Sequence, residues 1–374
     1  MRRPAAERHV EPDAGERLVR EQVAVEGVKH HRGVDALERP GVEFKIYQFP
    51  PDKIPTIDGK SNDWAMVPAS YSIGMDQLKD TVHNSKRDKK DLDVNVKVGW
   101  VKGLNRLYVL YEAYDNYWDF RRADRHNDIF ELVVDGDLSG GPFIKTSHPW
   151  KGYDPNQAHF TFHGVHAQNY HIFTPPLDKE WTMVWGCQPW IKDLPYANAA
   201  YNYNFKPGES GKLILEFYIT PFDYAAYEGP ERSVESKLWE NKIIGMSWSV
   251  LDYDDEKGTK YRGFWNLSHK TSMYGDASDL VAFRLMPVES ALRRPVEADW
   301  SFQVIDMDRR LVAFHDTTYG PVTSWLWDFG DGKTSTEQNP QHKFEKPGEY
   351  VITLSVDGPK GKDRRTKVWD VVLR

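Results

Sequence analysis

Apolar residues alternate with polar ones in short runs over most of the chain between residues 44 and 286. The clearest runs predict strands over FKIYQF at 44–49, VNVKVGWV at 94–101, RLYVLYEAYD at 106–115, DIFELVVD at 128–135, HFTFHGV at 159–165, KLILEFYI at 212–219, IGMSWSVLDY at 244–253 and LVAFRLM at 280–286. KGLN at 102–105 is typical of a hairpin connection. Many short strands, with no long helical periodicity, indicate an all-β sandwich.

The composition divides the chain into four segments. Residues 1–40 are charged and poor in aromatic residues, which is typical of a disordered leader. Residues 41–288 hold the strand-rich part and predict one large antiparallel, jelly-roll-like sandwich. PVESALRRPVEAD at 287–299 indicates a linker over residues 289–299, and a small immunoglobulin-like sandwich is predicted over residues 300–374.

Charge and composition narrow the classes of function. The formal net charge of −7 disfavours nucleic-acid binding, which needs a concentrated positive field. One local group of cations would still suffice for a single sugar carboxylate. The one cysteine, Cys187, cannot form an internal disulfide. No apolar run of about 18 residues occurs, so no membrane-spanning helix is predicted.

The most specific motif lies near the C-terminus. WDFGDG at 327–332 is followed by Asn339-Pro340, His342, Phe344, Pro347-Gly348 and Tyr350. This pattern resembles the signature of PKD domains over residues 301–374, and the resemblance implies a seven-stranded immunoglobulin-like sandwich. Asp331-Gly332 predicts a tight turn in which the glycine adopts a positive φ. Asp328 and Asp331 form a carboxylate pair by spacing, but their position favours a turn role.

The start of the large sandwich carries a second resemblance. TIDGK at 56–60 with Asp63-Trp64, the paired strands at 96–115 and NDIFELVVD at 127–135 resemble the corresponding runs of family-9 carbohydrate-binding modules. The likeness covers about residues 50–288 and implies sugar binding and a periplasmic or extracellular protein. Residues 140–210 depart from the pattern, so the family's sugar-gripping Trp pair is not carried over. The N-terminus lacks an apolar h-region, so no signal peptide is predicted as written.

Carboxylates at strand ends raise the question of a structural calcium ion. Asp115, Asp135 and Asp137 lie at predicted strand ends, and Glu131 is near. The DGDLSGG loop at 135–141 is rich in oxygen atoms, the donors that calcium prefers. EF-hand spacing is absent, so a solvated turn is favoured and the ion is the alternative. No other cofactor is predicted.

Histidines are concentrated in one stretch: His148, His159, His163, His166 and His171. A strand over HFTFHGVHAQNYHIF at 159–173 would place His163 on a polar face, and Gly164 indicates a bulge that would re-aim His166. Three interpretations stay open. The histidines form a hydrogen-bonded polar face, or His163 and His166 bind a metal with Glu131 or His269, or they are catalytic.

The catalytic interpretation suits an oligosaccharide that ends in a uronic acid. A base removes the C5 proton, an acid protonates the group leaving C4, and a further group holds the carboxylate. If a sugar leaves, the enzyme is a polysaccharide lyase; if water leaves, it is a dehydratase. The candidates for acid and base are His163, His166, Tyr170 and His269. The candidates for substrate binding are Asn169, His171, Arg125, Arg262 and Trp185.

The domain architecture resembles proteins of algal-polysaccharide degradation, which include dehydratases of ulvan oligosaccharides. This resemblance implies a carbon–oxygen lyase acting on acidic oligosaccharides. The alternatives are a non-catalytic carbohydrate-binding protein and a surface adhesion protein. A glycosidase would need two carboxylates across one cleft, and nothing in the sequence brings Glu131 and Glu216 together. No G-x-S-x-G motif supports a serine hydrolase.

Overall fold

The computed structural model describes residues 38–143, 163–255, 257–258 and 260–373, with no side-chain description at 368–370. Within these ranges the ordered elements are strands and short 3₁₀ turns, so the all-β prediction is confirmed. The chain divides into two compact units, with the boundary between residues 287 and 288. The predicted disordered leader lies outside the described residues up to residue 37. No helix in the described part is long and apolar enough to span a membrane.

The first unit contains fifteen described strands. They are β1 Phe44–Gln48, β2 Ile73–Gly74, β3 Lys79–Asp80, β4 Leu92–Trp100, β5 Leu107–Asp115, β6 Ile129–Asp135, β7 Gln168–Phe173, β8 Thr182–Val184, β9 Ala197–Asn202, β10 Gly211–Ile219, β11 Phe222–Tyr224, β12 Val234–Glu235, β13 Ile243–Asp252, β14 Gly263–Asn266 and β15 Val281–Leu285. The 3₁₀ turns are Asn62–Trp64, Ala69–Tyr71, Met75–Gln77, Pro189–Lys192, Pro230–Arg232, Thr271–Tyr274 and Ala277–Asp279.

Strand β1 belongs to two sheets. Its first residues pair in parallel with β15, and Tyr47 and Gln48 pair in parallel with β4. The first sheet has the order β8-β7-β6-β13-β15-β1. In addition, β14 pairs with the second half of β13, and β3 pairs with β14. The second sheet has the order β1-β4-β5-β10-β9, with β2 beside β4. The β4–β5 pair is antiparallel, which confirms the predicted hairpin.

The main core lies between these sheets. Trp100 and Tyr111 of the second sheet and Phe130 and Trp248 of the first sheet have no exposed surface. Side chains alternate along a strand, so residues between these core positions face away from the core. In the first sheet several of those outward residues are polar, including Glu131 on β6 and His171 on β7.

The TIDGK–DW segment is anchored on one buried carboxylate. Glu216 Oε2 accepts from the backbone N–H groups of Asp58 and Gly59 at 3.0 and 3.3 Å, and its Oε1 accepts from Trp64 Nε1 at 2.9 Å. Gly59 has a φ of +75°, and a Cβ there would lie 2.9 Å from the Tyr201 carbonyl carbon. The motif therefore folds against β9 and β10, and Glu216 has a structural role.

The second unit is a seven-stranded sandwich, as its sequence predicts. The strands are β16 Trp300–Asp306, β17 Leu311–Asp316, β18 Ser324–Asp328, β19 Thr334–Ser335, β20 Gln341–Lys343, β21 Gly348–Gly358 and β22 Gly361–Leu373. They form sheets of order β16-β17-β20 and β19-β18-β21-β22. Trp300, Phe314, Trp327 and Ile352 are buried in the core of this unit.

The segment predicted as a linker contributes to this core. Val296 and Ala298 are buried with the residues of the second unit, and Glu297 forms a β-bridge with Tyr319. Arg294 donates to Asp363 at 3.1 Å. The second unit therefore begins before the predicted start at residue 300.

The WDFGDG motif builds a turn, as predicted. Asp328 Oδ1 accepts from Gly330 N–H at 2.9 Å, and Asp331 Oδ1 accepts from Lys333 N–H at 3.0 Å. The other Asp331 oxygen lies 2.8 Å from His342 Nε2, and that imidazole ring stacks on Phe329 with 4.0 Å between ring centroids.

Two glycines of this turn provide a matched test. Gly330 and Gly332 have φ values of +72° and +86°, but a Cβ on Gly330 would lie 2.5 Å from the Val351 carbonyl oxygen, whereas Gly332 faces open space. We expect Gly332→Ala to cost about 1–2 kcal/mol from the left-handed backbone alone. Gly330→Ala should cost about 3 kcal/mol or more because overpacking adds to this strain. Calorimetry of the full chain measures both, and equal losses would contradict the described turn.

Candidate functional site

A row of buried polar side chains crosses the outer face of the first sheet. The strand register places His171 of β7 opposite Glu131 of β6, Glu131 opposite Ser249 of β13, and Ser249 opposite Asn266 of β14. All four are at most 6% exposed. We call these four residues the polar row.

A carboxylate–imidazole pair lies at one end of the row. His171 Nδ1 lies 2.7 Å from Glu131 Oε2, and His171 Nε2 lies 3.2 Å from the Arg125 carbonyl oxygen. A carbonyl oxygen only accepts hydrogen bonds, so Nε2 carries a proton in this contact. Glu131 holds the second ring nitrogen, which fixes the orientation of the ring.

An aromatic ring and a cation lie beside this pair. The Trp185 ring packs edge-on against His171, with 5.8 Å between centroids, and the guanidinium carbon of Arg125 lies 5.8 Å from the Trp185 ring centroid. Trp185 is partly buried and Arg125 is exposed. The backbone N–H of Trp185 donates to the Asn169 carbonyl oxygen at 3.1 Å, and this hydrogen bond holds the Trp185 segment against β7. The next residue, Gly186, has a φ of +127°, and a Cβ there would lie 2.1 Å from the His163 carbonyl oxygen, so this turn requires glycine.

Hydrogen bonds continue along the other end of the row. Asn266 Nδ2 donates to Ser249 Oγ at 2.7 Å, and Ser268 Oγ donates to Asn266 Oδ1 at 2.9 Å. Ser268 N–H donates to Ser247 Oγ at 3.2 Å. The Asn169 side chain is also buried, donates to the Tyr274 carbonyl oxygen at 3.4 Å, and its Oδ1 has no hydrogen-bond partner among the described residues.

Two apolar clusters flank the row on the same face. One contains Ile129, Phe173, Leu251, Tyr253 and Phe264. The other contains Val133, Phe143, Ala167, Met273, Ala277 and Leu280. A polar floor framed by apolar and aromatic groups is the usual composition of a small-molecule site. We call the row with Asn169, Trp185 and Arg125 the outer-face site.

His163 and His166 lie outside the polar row. The described part of the predicted histidine strand is a turn over residues 163–167, and β7 begins only at Gln168. Gly164 has a φ of +80° and therefore bends the chain before the strand begins, so the predicted bulge within a strand is wrong. Both rings pack against Phe143, at 5.0 and 6.0 Å between centroids. His148 and His159 lie outside the described residues.

Tyr170 is a core residue. It lies between Asn169 and His171 on β7, so the alternation of side chains directs it to the opposite face of the sheet. The side chain has no exposed surface and packs in the main core, where burial raises the pKa of the phenol far above its ordinary value. The prediction that Tyr170 is an acid or base of the site is therefore wrong.

The structure places His269 and Arg262 away from the Glu131–His171 pair. His269 follows Ser268 at the β14 end of the row, three strands from His171, and its Nε2 lies 3.0 Å from the Gln77 carbonyl oxygen. Burial is the main cause that lowers the pKa of His269. Arg262 pairs with Asp254 and lies 3.7 Å from Asp91.

The described contacts do not support a histidine metal site. The proposed third ligands are engaged elsewhere, because Glu131 pairs with His171 and His269 contacts Gln77. In the part of the chain that the structure describes, the side-chain groupings close enough to share an ion consist of aspartates alone.

The DGDLSGG loop closes on its own carboxylates. Asp135 accepts from the backbone N–H groups of Ser139 and Gly140 at 3.3 and 2.9 Å, and Asp137 accepts from Ser139 N–H at 3.1 Å. Burial, followed by the neighbouring Asp137, raises the pKa of Asp135 to about 8. Lys242 supplies the nearby positive charge, and burial lowers its pKa. The loop is thus a turn, as favoured by the sequence, although Asp135 itself is buried.

A different group of aspartates is crowded together. Oxygen atoms of Asp115, Asp128 and Asp252 lie within 4.8 Å of one another, and all three side chains are buried. Burial, with Asp252 as the next cause, raises the pKa of Asp115 to about 9. Burial, then Asp254 and Asp91, raises the pKa of Asp252 to about 7. We call Asp115, Asp128 and Asp252 the aspartate cluster.

Sequence reasoning named four members of the outer-face site, Arg125, Asn169, His171 and Trp185, as binding residues. It missed Glu131 as the partner of His171, and it missed the serines and Asn266. A signal was present, because Ser247 and Ser249 alternate with Met246, Trp248 and Val250 within one apolar strand.

Comparison with known proteins identifies the second unit. The model of the PKD domain family matches residues 307–373, so this unit is a PKD domain, as the motif predicted. Collagenase ColQ1 of Bacillus cereus is 50% identical over 48 residues, which are 13% of this chain and 5% of the collagenase. Collagenase ColA of Bacillus cereus is 25% identical over 173 residues, or 44% of this chain and 18% of the relative. The chain thus spans a small part of these curated relatives.

Solved structures similar to the chain include a family-9 carbohydrate-binding module from Caldicellulosiruptor kristjanssonii in complex with cellotriose. The match covers 68% of this chain and all of that module, at 12% identity and a TM-score of 0.42. This likeness concerns shape alone.

The raised pKa of Asp135 predicts a pH-dependent stability. A carboxyl with a raised folded-state pKa contributes stability below its unfolded value of about 4, and this contribution is lost as the pH rises through about 8. Asp135→Asn removes the titrating group. We therefore compare the free energy of unfolding of the variant with that of wild type. The difference, variant minus wild type, should be higher near pH 8 than near pH 4 by about 2 kcal/mol or more. Urea unfolding across that range measures it, with the exposed Asp308→Asn as control, and a constant difference would contradict the assignment.

Proposed function

We propose that the first unit binds an acidic oligosaccharide at the outer-face site. The observation that carries this proposal is the exposed guanidinium of Arg125 over the ring of Trp185, next to the buried Glu131–His171 pair. The apolar face of a sugar ring would pack on the indole, and its hydroxyl groups would bond Asn169 and Glu131.

Arg125 favours an acidic sugar over a neutral one. A guanidinium presents a planar fork of donors that matches a carboxylate. Among the described residues, no carboxylate forms an ion pair with Arg125, whereas Arg122 and Arg262 have such partners. A uronic acid at the end of the oligosaccharide would supply the missing anion.

The same site supports a second function, elimination from the bound uronic acid. The Glu131–His171 pair, at 2.7 Å, provides an acid–base couple beside the cation that would neutralise the carboxylate. The Glu131–His171 pair takes the C5 proton, and the electrons of the C5–H bond form the C4–C5 double bond. The C4–O bond breaks with its electrons on the oxygen, and the pair then returns the proton to this leaving group. Loss of water gives a dehydratase, and loss of a sugar gives a lyase.

The binding proposal predicts the behaviour of two variants. Arg125→Ala and Trp185→Ala should each weaken binding of uronic-acid oligosaccharides by about tenfold or more, because each removes a central contact. Arg125→Ala should leave the weaker binding of neutral oligosaccharides unchanged. Isothermal titration calorimetry with ulvan fragments and neutral cello-oligosaccharides measures both.

Trp239→Ala is the matched control, since this tryptophan is 54% exposed and lies outside the outer-face site. It should bind like wild type. If Trp239→Ala loses affinity while Trp185→Ala keeps it, the binding surface is elsewhere and the proposal fails.

The elimination proposal predicts an unsaturated product. Incubation with ulvan oligosaccharides should produce the ultraviolet absorbance of a 4,5-unsaturated uronate, and mass spectrometry should identify whether water or a sugar is lost. Glu131→Gln and His171→Asn should reduce the rate by about a hundredfold or more, as expected for loss of general acid–base catalysis. Tyr170→Phe should retain the rate, because the phenol lies in the core.

If wild type binds the oligosaccharide but the absorbance does not change, the elimination proposal is wrong and the binding proposal stands. Loss of activity in Tyr170→Phe, with unchanged stability, would contradict the assignment of the Glu131–His171 pair.

A further inference from the structure

Residues 120–127, which we call the arginine loop, lie between β5 and β6 and are held in place by one lysine. Lys179 lies in the hairpin that connects β7 to β8. Its ammonium group donates to the backbone carbonyl oxygens of Phe120 and Arg122 at 3.0 and 2.8 Å and to Asn127 Oδ1 at 3.4 Å. An ammonium group has three protons, so these three acceptors use all of its donors.

Asn127 closes the arginine loop from within. Its side chain has no exposed surface. Its Oδ1 accepts from Arg122 N–H at 3.1 Å, and its Nδ2 donates to the carbonyl oxygens of Arg122 and Asp124 at 3.2 and 2.6 Å. Lys179 therefore holds both the backbone of the loop and the side chain that closes it.

Arg125 lies in the same loop, between this lysine and the polar row. The Arg125 carbonyl oxygen lies 3.2 Å from His171 Nε2, and the Arg122 carbonyl oxygen, three residues earlier, accepts from Lys179. These two contacts fix the backbone from which the Arg125 side chain extends over the ring of Trp185. The position of the guanidinium thus depends on Lys179 as well as on the polar row.

Lys179 carries its positive charge without an ion-pair partner among the described residues. Its ammonium group lies 5.0 Å from the centroid of the Phe173 ring. Burial is the main cause that lowers the pKa of Lys179. The carboxylates that act in the opposite direction, at longer range, are those of Asp124, Asp119 and Asp178. A partly desolvated ammonium group is costly to keep charged, and its charge adds to the positive field of the arginine loop.

We propose that Lys179 determines the specificity of the outer-face site for acidic sugars, as a positioning residue that presents Arg125 to the sugar carboxylate. This inference rests on the proposed function. Lys179 acts through Arg125 and does not touch the sugar. A guanidinium that is oriented before binding loses less conformational freedom when the ligand arrives. Trp185 and Glu131 are placed by β7 and β6, so their contacts with a neutral sugar do not depend on the loop.

The ratio of two affinities tests this role. Isothermal titration calorimetry of the full chain measures the affinity for ulvan fragments, which contain uronic acid, and for neutral cello-oligosaccharides. Lys179→Met removes the donors and the charge but keeps a side chain of similar length. We expect the affinity for ulvan fragments to fall about tenfold while the affinity for neutral oligosaccharides stays unchanged. A general weakening of the fold would lower both affinities and leave their ratio unchanged.

Two further lysine variants serve as rescue and control. Lys179→Arg keeps the charge and the donors, so it should retain most of the wild-type ratio. Lys192→Met is the matched control, because the Lys192 side chain is only 12% exposed but pairs with Glu180 and Asp193, outside the outer-face site. It should keep the wild-type ratio.

Hydrogen exchange of the ligand-free protein tests the loop without any sugar. The backbone amides of residues 121–127 should exchange about tenfold faster in Lys179→Met than in wild type, because the hydrogen bonds that hold the loop are lost. The amides of β6 should exchange as in wild type. If Lys179→Met fails to fold, Lys179→Gln, which keeps a polar group without the charge, carries both measurements.

An unchanged affinity ratio in Lys179→Met, or an equal fall of the ratio in Lys192→Met, would overturn the inference. If Arg125→Ala loses affinity for ulvan fragments while Lys179→Met keeps it, the proposed function stands and this inference alone fails. If wild type binds neither class of oligosaccharide, the proposed function fails and the specificity role fails with it. Faster exchange in Lys179→Met would then still show that Lys179 holds the loop.

Discussion

The alternation of side chains along the strands of the first sheet is the constraint from which the site follows. One face of β6, β7 and β13 is filled by the main core, with Phe130, Tyr170 and Trp248 fully buried there. Neighbouring residues must therefore point outward, and Glu131 and His171 become partners because their strands pair at that register. A shift of one residue would exchange the two faces. The carboxylate–imidazole pair is thus a direct product of strand register.

The local pattern of the sequence predicted most long strands well, since β4, β5, β6, β10 and β13 fall within one or two residues of the apolar alternation. It failed where a turn replaced a strand, because Gly164 bends the chain before β7 and removes His163 from the alternation. It also assigned Tyr170 with its polar neighbours, although adjacent residues on a strand face opposite sides. The meeting of Asp115, Asp128 and Asp252 depends on contacts distant in sequence and had no local signal.

Buried carboxylates of the first unit differ in their hydrogen-bond partners, and these partners distinguish a structural carboxylate from one that belongs to the proposed site. Glu216 is fully engaged by two backbone N–H groups and the Trp64 indole, so it cannot pair with Glu131 across a glycosidase cleft. Glu131 instead holds His171, beside an exposed arginine. The solvation of each carboxylate, more than its presence in the sequence, determines which chemistry is open to it.

The packing of Val296 and Ala298 inside the PKD core has a consequence for the evolution of such chains. A recombination event that cut at the start of β16 would leave these apolar residues behind and open a gap in the inherited module. Exchanges that preserve a stable unit must carry the preceding residues as well, so the heritable segment is longer than its recognisable motif. Ancestral breakpoints in related genes should accordingly cluster near residue 288, where the two compact units meet in sequence.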